Sequence, residues 1–181
     1  MKNLYTLGLQ QVQQELIALQ SPGFYWITCQ RPEDARTLLR QVVSQQKAAT
    51  LVSADEPPQA LLTPDPPGGP ARIPLCSLPA NKASLQHLAS DMARVMNKRS
   101  GLVMFYSQAA LWNKLSPDEL TVWIKGLRRV LLKKQMTLLM ITCGTAIIPL
   151  RNHLQRYFRQ LDGVAHLEFQ QDSWQYRINW W

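Results

Sequence analysis

The residues that could do chemistry in this sequence lack the partners that catalysis needs. After the first apolar strand pattern the chain reads Cys29-Gln30-Arg31-Pro32, with no glycine and no Gly-Lys-Ser or Gly-Lys-Thr to hold a phosphate. A nucleotide hydrolase also needs a carboxylate after an apolar strand to hold magnesium. The apolar runs at 102–106 and 138–141 end in Ser107-Gln108 and Thr142-Cys143-Gly144. These two losses argue against ATP hydrolysis, although a nucleotide could still bind uncleaved.

Other kinds of active site are missing from the sequence as well. It holds no Gly-x-Gly-x-x-Gly loop for a dinucleotide and no Gly-x-Ser-x-Gly elbow for a serine hydrolase. Of the three histidines, His87, His153 and His166, the first and the last are interpreted as surface or half-buried residues. The widely spaced Cys29, Cys76 and Cys143 are interpreted as reduced and buried, the alternative being a nucleophilic cysteine, for which no activating base lies nearby in sequence. We therefore predict no catalytic residue, no metal and no cofactor.

Two pairs of acidic residues have a simpler explanation than acid–base catalysis. Asp118 and Glu119 follow Ser116-Pro117, and Glu33-Asp34 follow Pro32. Carboxylates in the first turn of a helix are stabilised by its dipole, and Ser116 is a typical N-cap. Both pairs are therefore predicted to begin helices.

Alternating strand and helix patterns must position all of these residues. Helical periodicity is seen from Leu9 to Leu19 and after Pro32, and again at 84–97, 117–134 and 150–161. Strand patterns occupy 24–28, 48–53, 73–77, 102–107 and 137–142, and two alternating runs at 164–169 and 174–180 form a hairpin signal. The prediction is an α/β fold with three layers: a mostly parallel sheet, helices on both faces and a C-terminal antiparallel hairpin.

Composition indicates one folded domain spanning residues 1–181, with a loop rich in proline and glycine at 55–72. No apolar run approaches the roughly 20 residues that a membrane-spanning helix needs. Glutamines at positions 10, 11, 13 and 14 interrupt any secretory signal. We therefore expect a cytoplasmic protein without a membrane span.

Positive charge is concentrated in one window of the sequence. The net charge is +8, and the segment from Leu120 to Leu161 holds eight basic residues and no acidic one. They are Lys125, Arg128, Arg129, Lys133, Lys134, Arg151, Arg156 and Arg159. Such a window either solvates helix faces and helix ends or attracts an acidic protein or an anionic membrane surface. Nucleic acid ranks last because no recognition motif accompanies the charge.

The sequence resembles the N-terminal domain of the bacterial cellulose-biosynthesis protein BcsE over almost its entire length. The matching stretches are Gly23-Phe-Tyr-Trp-Ile27, Arg31-Pro-Glu-Asp-Ala35, Ala110-Leu-Trp112-Asn113, Leu138-Leu-Met-Ile141, Arg156-Tyr157 before Leu161, and Leu167-Glu-Phe-Gln170 with the closing hairpin. None of these stretches is a chemical motif, so the resemblance rests on pattern and order.

The resemblance implies a degenerate P-loop ATPase of the RecA-like kind that serves as a scaffold in cellulose secretion and biofilm formation. It implies the partners BcsR, BcsQ and BcsF, the last recruiting the protein to the inner membrane, and leaves self-association open. In this family an Arg-x-Gly-Asp motif in later domains binds cyclic di-GMP. This chain lacks the motif and stops at Trp180-Trp181 on an apolar strand, so we expect it to be part of a longer protein.

The sequence is thus interpreted as a non-catalytic interaction domain, with the basic window as its candidate partner-binding face. The alternative is a cytosolic α/β enzyme or nucleotide-binding protein of unidentified type. A ligand pocket with converging polar groups at the carboxyl ends of the strands would favour that alternative.

Overall fold

The fold is built on one sheet of eight strands, seen in a computed structural model of the chain. The structure describes residues 5–6, 22–45, 49–54, 56–63, 74–78, 90–95, 101–145, 150, 154, 160–170 and 173–179. The strands are β1 (Tyr5–Thr6), β2 (Gly23–Cys29), β3 (Ala49–Ser53), β4 (Leu75–Ser77), β5 (Leu102–Gln108), β6 (Thr137–Cys143), β7 (Gly163–Gln170) and β8 (Ser173–Asn179).

Strand order in the sheet is β1-β8-β7-β2-β6-β5-β3-β4. The six strands from β7 to β4 are mutually parallel, whereas β8 pairs antiparallel with both β7 and β1. The helices are α1 (Pro32–Gln45), α2 (Pro58–Leu61), α3 (Ala109–Trp112) and α4 (Pro117–Lys134), and residues 90–95 are also helical. None of the helices within the described residues has the length and apolar content that a bilayer crossing requires.

Each central strand is apolar on both faces because helices cover both sides of the sheet. On β2, Phe24 and Trp26 belong to the apolar core that includes the inner face of α4, while Ile27 and Cys29 belong to the core under α1. Alternation of side chains along a strand separates these two cores. The molecule therefore has the three layers that the sequence predicts.

Helix α4 shows why local signals fix an element so well. The hydroxyl of Ser116 accepts a hydrogen bond from the backbone N–H of Glu119, and the Glu119 carboxylate accepts one from the backbone N–H of Ser116. This reciprocal capping box satisfies two donors at the helix start. The helix ends at Gln135, whose left-handed backbone (φ 53°) directs Met136 into the core. The predicted capping role of Glu119 is confirmed.

Several predicted elements need correction or lie outside the described residues. The predicted loop at 55–72 is interrupted by α2, since Pro57 and Pro58 fix the backbone angle that a first helical turn requires. Strand β4 begins at Leu75, so Pro74 is not part of it, and the first predicted residue, 73, lies outside the described residues. Strand β1, which pairs with β8, was not predicted. The predicted helix at 9–19 lies outside the described residues, as do all but residues 90–95 of the one at 84–97 and all but 150, 154, 160 and 161 of the last.

Candidate functional site

A row of four polar side chains crosses four neighbouring strands. Three of them lie at the carboxyl ends of their strands, where open α/β sheets bind ligands, and the fourth lies in the middle of β7. Ser107 of β5 is in register with Thr142 of β6, which is in register with Thr28 of β2. Thr28 in turn pairs with His166 of β7, and its hydroxyl lies 2.8 Å from the His166 Nδ1. We call Ser107, Thr142, Thr28 and His166 the polar row. Three of its four members lie at the edge of the sheet where a ligand of an open α/β fold would bind.

Two tryptophans donate hydrogen bonds to hydroxyl groups of this row. The indole N–H of Trp112 donates to the Ser107 hydroxyl at 2.6 Å, and that of Trp26 donates to the Thr142 hydroxyl at 3.0 Å. Ser107 and Thr142 are themselves 3.5 Å apart, and all four side chains are buried. The hydroxyls thus face indoles inside the core, and neither is exposed to an incoming ligand.

The space between the polar row and α4 is filled by aromatic rings. The ring centres of Trp26 and Trp112 are 5.1 Å apart, and those of Trp112 and Trp123 are 4.7 Å apart in an edge-to-face arrangement. Phe24 stacks beside Trp26, and Phe105 meets Trp112 edge-on. Aromatic pairs of this geometry stabilise a core beyond their buried area. Large rings therefore stand over the carboxyl ends of β2, β5 and β6.

A second polar group lies on the opposite face of the sheet, beneath α1. The Tyr106 hydroxyl is 3.1 Å from the Cys143 sulfur and donates to the Glu56 carboxylate at 3.2 Å. Glu56 also pairs with Arg36 at 2.8 Å. Burial raises the pKa of the Tyr106 phenol, with further contributions from Cys143 and Glu56. Tyr106 therefore stays protonated and acts as a hydrogen-bond donor that ties β5 to the loop after β3.

The buried thiols are unsuited to nucleophilic attack. Cys29 and Cys143 are in register on β2 and β6 and are fully buried, whereas Cys76 is half-buried at the sheet's edge. Burial, followed by the neighbouring Cys143, raises the pKa of the Cys29 thiol well above its usual value. A thiol held protonated in this way is a poor nucleophile. Among the described residues no three His, Cys, Asp or Glu side chains are arranged to hold a metal ion.

Some of the other predicted polar residues have structural positions, and the rest lie outside the described residues. His166 is half-buried and contacts Thr28, and Asp118 is exposed in the first turn of α4. His87, His153, Arg151, Arg156 and Arg159 lie outside the described residues. The hydrogen bond between Trp112 and Ser107 was not predicted from the sequence. Its only signal was that two apolar strands end in hydroxyl residues.

Five residues of the basic window lie on α4, and they differ in their surroundings. Arg128 is an internal partner, because its guanidinium donates to Asp162 at 3.3 Å. The other Asp162 oxygen accepts from the backbone N–H of Phe24 at 2.8 Å. Lys125, Arg129, Lys133 and Lys134 are exposed and form no ion pair within the described part of the chain.

The outer face of α4 is also apolar in places. Val122 and Leu132 are the large hydrophobic side chains exposed within the described ranges, at 72% and 51%. Gly126 stands between them, and a Cβ added there would meet nothing within 4 Å. We call Val122, Lys125, Gly126, Arg129, Leu132 and Lys133 the outer face.

The residues of the outer face lower the intrinsic stability of helix α4. A glycine inside a helix costs about 1 kcal/mol relative to alanine, and no close packing requires glycine at position 126. Lys125, Arg129 and Lys133 follow one another at four-residue spacing, and each such like-charged pair costs about 0.2–0.5 kcal/mol. The helix dipole favours only Lys133 and Lys134, which lie in the last turn.

Comparison with known proteins gives one family over the whole chain. The family model described as the cellulose biosynthesis protein BcsE, N-terminal domain, matches residues 1–181. Proteins named "Cyclic di-GMP binding protein BcsE" are similar to it. That of Klebsiella pneumoniae is 24% identical over 100% of this chain and 36% of its own length, and that of Escherichia coli K12 is 24% identical over 98% and 35%. The chain thus spans about a third of the length of the curated relatives it matches.

A solved structure shares the fold at low sequence identity. It is described as a structural study of project PH0250 from Pyrococcus horikoshii OT3. The match has a TM-score of 0.53 and 9% identity, and covers 85% of this chain and 86% of the other. At that identity the likeness concerns the fold alone.

Proposed function

Because the chain belongs to the family of N-terminal domains of the cellulose biosynthesis protein BcsE, we propose that it is a non-catalytic protein-interaction domain of a cellulose biosynthesis and secretion system. In this role it is a scaffold that brings other proteins of the system together. It works in the cytoplasm and reaches the inner membrane through a partner.

The proposal of a non-catalytic domain is supported above all by the hydrogen bonds between indoles and hydroxyls at the carboxyl ends of the strands. Trp112 and Trp26 donate hydrogen bonds to Ser107 and Thr142, and their rings fill the core beside the carboxyl ends of β5 and β6. Both hydroxyls are fully buried against these indoles, so neither is exposed to a substrate or a metal ion. The position is therefore used for core packing.

A degenerate ATPase origin accounts for the same features. Strand β2 lies in the middle of the sheet and is followed directly by α1, which is the arrangement of strand, loop and helix that holds phosphates in P-loop proteins. Here the loop between them is Gln30-Arg31, and Arg31 pairs with Asp34 at 2.8 Å. We propose a RecA-like ancestor whose phosphate loop and magnesium carboxylate have been replaced.

The relatives are named for cyclic di-GMP binding, and we propose that this ligand binds the full-length protein outside the present chain. The chain covers about a third of those relatives and lacks Arg-x-Gly-Asp. Nothing in the polar row offers the arginine and backbone donors that phosphate recognition requires.

The partners proposed from the family are BcsR, BcsQ and BcsF, and the basic window is their proposed contact surface. Exposed cations on α4 speed association with an acidic protein and fix its orientation. Arg128 is the exception, since its pairing with Asp162 gives it an internal role. We therefore assign the partner contact to Lys125, Arg129, Lys133 and Lys134, together with Arg151, Arg156 and Arg159.

Two measurements on the purified chain test this function. Calorimetric titration with magnesium-ATP and with cyclic di-GMP should give no binding heat, and immobilised chain should retain purified BcsR, BcsQ or BcsF. Saturable heat with ATP, accompanied by phosphate release, would instead establish the enzyme alternative. Failure to retain any of the three proteins would refute the scaffold role.

A further inference from the structure

The outer face of α4 carries a partner site whose shape and charge specify its occupant. We infer that an acidic α-helix of another protein packs lengthwise against α4, with a side chain seated over Gly126 and carboxylates facing Lys125, Arg129 and Lys133. This inference rests on the proposed function and deepens it by giving the chemistry of the partner.

Helix α4 has open space over Gly126. A Cβ at this position would meet nothing within 4 Å, so the protein's own core does not require glycine there. Val122 lies one turn before it and Val130 one turn after it on the same side of the helix. A missing side chain between two present ones makes a hole of the kind that receives a ridge from a crossing helix. An interface explains the glycine that internal packing does not.

The outer face combines exposed apolar side chains with cations. Val122 and Leu132 are 72% and 51% exposed, and three cations lie beside them at four-residue spacing. Two exposed apolar side chains with cations between them suit an amphipathic partner of opposite charge. The partner's charge must be negative, since the window from 120 to 161 has no acidic residue to offer a basic one.

The same observations favour a protein helix over the other anionic surfaces. A bilayer has no ridge that would fit the hole at Gly126. Helices that bind a membrane surface also use several large Trp, Phe or Leu side chains, and this face has only Leu132. A second copy of the chain would place the same three cations against each other if α4 met α4. An acidic helix satisfies the charge and the shape together.

The test uses a synthetic acidic helix and matched variants of the chain. The probe is a peptide of about 20 residues, long enough to be helical in water, with Glu at three- and four-residue spacing beside an Ala/Leu ridge. Its twin has the same charge with two central prolines. Binding is followed by fluorescence anisotropy at two salt concentrations, and anionic vesicles containing phosphatidylserine are tested in parallel by co-sedimentation.

We expect the wild-type chain to bind the helical peptide and not its proline twin. Gly126→Trp, which fills the hole, should weaken binding at least about tenfold. Arg129→Glu should weaken it by a similar factor, while Arg40→Glu, the same charge change on α1 across the sheet, should leave binding within about twofold. Circular dichroism melts check that each variant is folded.

Three outcomes overturn the inference: no binding of the helical peptide, wild-type binding by Gly126→Trp, or equal binding of the proline twin. Vesicle binding that survives Gly126→Trp and is lost with Arg129→Glu also overturns it in favour of a membrane. Peptide binding without retention of BcsR, BcsQ or BcsF refutes the proposed partners and leaves the acidic helix standing. If Gly126→Trp retains those proteins as strongly as the wild-type chain does, the acidic-helix inference is refuted and the proposed partners stand.

Discussion

The indole of Trp112 and the hydroxyl of Ser107 are joined by a 2.6 Å hydrogen bond, although the strand and the helix that carry them are separate elements. The bond crosses the junction at which β5 becomes α3, so it also fixes the direction in which the chain leaves the sheet. Trp112 is 1% exposed and Ser107 is fully buried. An indole donor at this depth needs its acceptor, because no water can replace it.

Removing that acceptor should destabilise the fold. Ser107→Ala leaves the buried Trp112 N–H without a partner, which costs about 1–3 kcal/mol of unfolding free energy. Urea denaturation followed by tryptophan fluorescence measures the loss. Ser77→Ala is the control, because Ser77 is exposed at the end of β4 and should change stability by less than about 0.5 kcal/mol. Equal effects of the two substitutions would contradict the proposed importance of the bond.

Restoring a carboxylate at the end of β5 should not restore an enzyme. Ser107→Asp places a charge in a fully buried site beside an indole, with no cation to pair with it, and costs several kcal/mol, on the order of 3 or more. We expect a larger loss of stability than in Ser107→Ala and no phosphate release from magnesium-ATP. ATP hydrolysis by this variant would mean that the aromatic rings leave room for a nucleotide.

Asp162 should matter more for stability than its ion-pair partner. Asp162→Ala removes the acceptor for the backbone N–H of Phe24 as well as the Arg128 contact, and should cost about 1–3 kcal/mol. Arg128→Met keeps the apolar stem and breaks the ion pair with Asp162, whose two side chains are each about a third exposed, so it should cost under about 1 kcal/mol. Thermal melts of the two variants compare them. The opposite ranking would show that the ion pair dominates.

Stability should fall in alkaline solution because two buried groups hold their protons in the folded chain. Burial raises the pKa of Cys29 and of Tyr106, whereas in the unfolded chain these groups ionise near their usual values of about 8.5 and 10. The stabilisation is complete below those values and is lost as the pH rises past them, since only the unfolded state releases its protons. Urea midpoints from pH 7 to 11 should therefore decline.

Substitutions can show which ionisable group causes the loss of stability at alkaline pH. Tyr106→Phe should flatten the part above about pH 10, and Cys29→Ala the part that begins near pH 8.5. Ser77→Ala removes no ionisable group and is the control, and its profile should follow that of the unaltered chain. A decline that is unchanged in both Tyr106→Phe and Cys29→Ala would place the titrating groups elsewhere.

Replacing Gln135 with glycine should stabilise the fold. Its φ of 53° lies in the left-handed region, which costs a residue with a Cβ about 1 kcal/mol and a glycine nothing. Gln135→Gly gives up an exposed side-chain hydrogen bond to the Leu132 carbonyl. We expect a net rise in unfolding free energy of about 0.5 kcal/mol, measured by urea denaturation. Gln135→Val, which cannot take this backbone angle easily, should fall below the unaltered chain.

Much of this fold could be predicted from local pattern. The bounds of α4 agree with the prediction at both ends, because Ser116 and Glu119 at its start and Lys133-Lys134 at its end are local signals. The buried strands β2, β5 and β6 agree to within one residue, since continuous apolar runs are typical of strands covered on both faces. The antiparallel pairing of β7 with β8 is also confirmed.

What could not be predicted depends on residues that meet only in the folded chain. Trp26 and Thr142 are 116 positions apart, and their bond follows from the register of β2 with β6. Arg128 reads as one more cation of the basic window until Asp162, 34 positions later, is seen beside it. Helix α3 has four residues, too few to show a period. Charge and periodicity thus locate a surface but do not say which of its members are already engaged.

The central place of β2 has a consequence for the newly made chain. Both neighbours of β2 in the sheet, β6 and β7, lie more than a hundred residues further along. At a synthesis rate of about 5–20 residues per second, the Phe24-Tyr25-Trp26 segment waits on the order of 10 seconds before either neighbour emerges from the ribosome. During that interval an apolar strand with two open edges is available to other chains. Chaperone binding at this segment during translation would shield the strand that later organises the whole sheet.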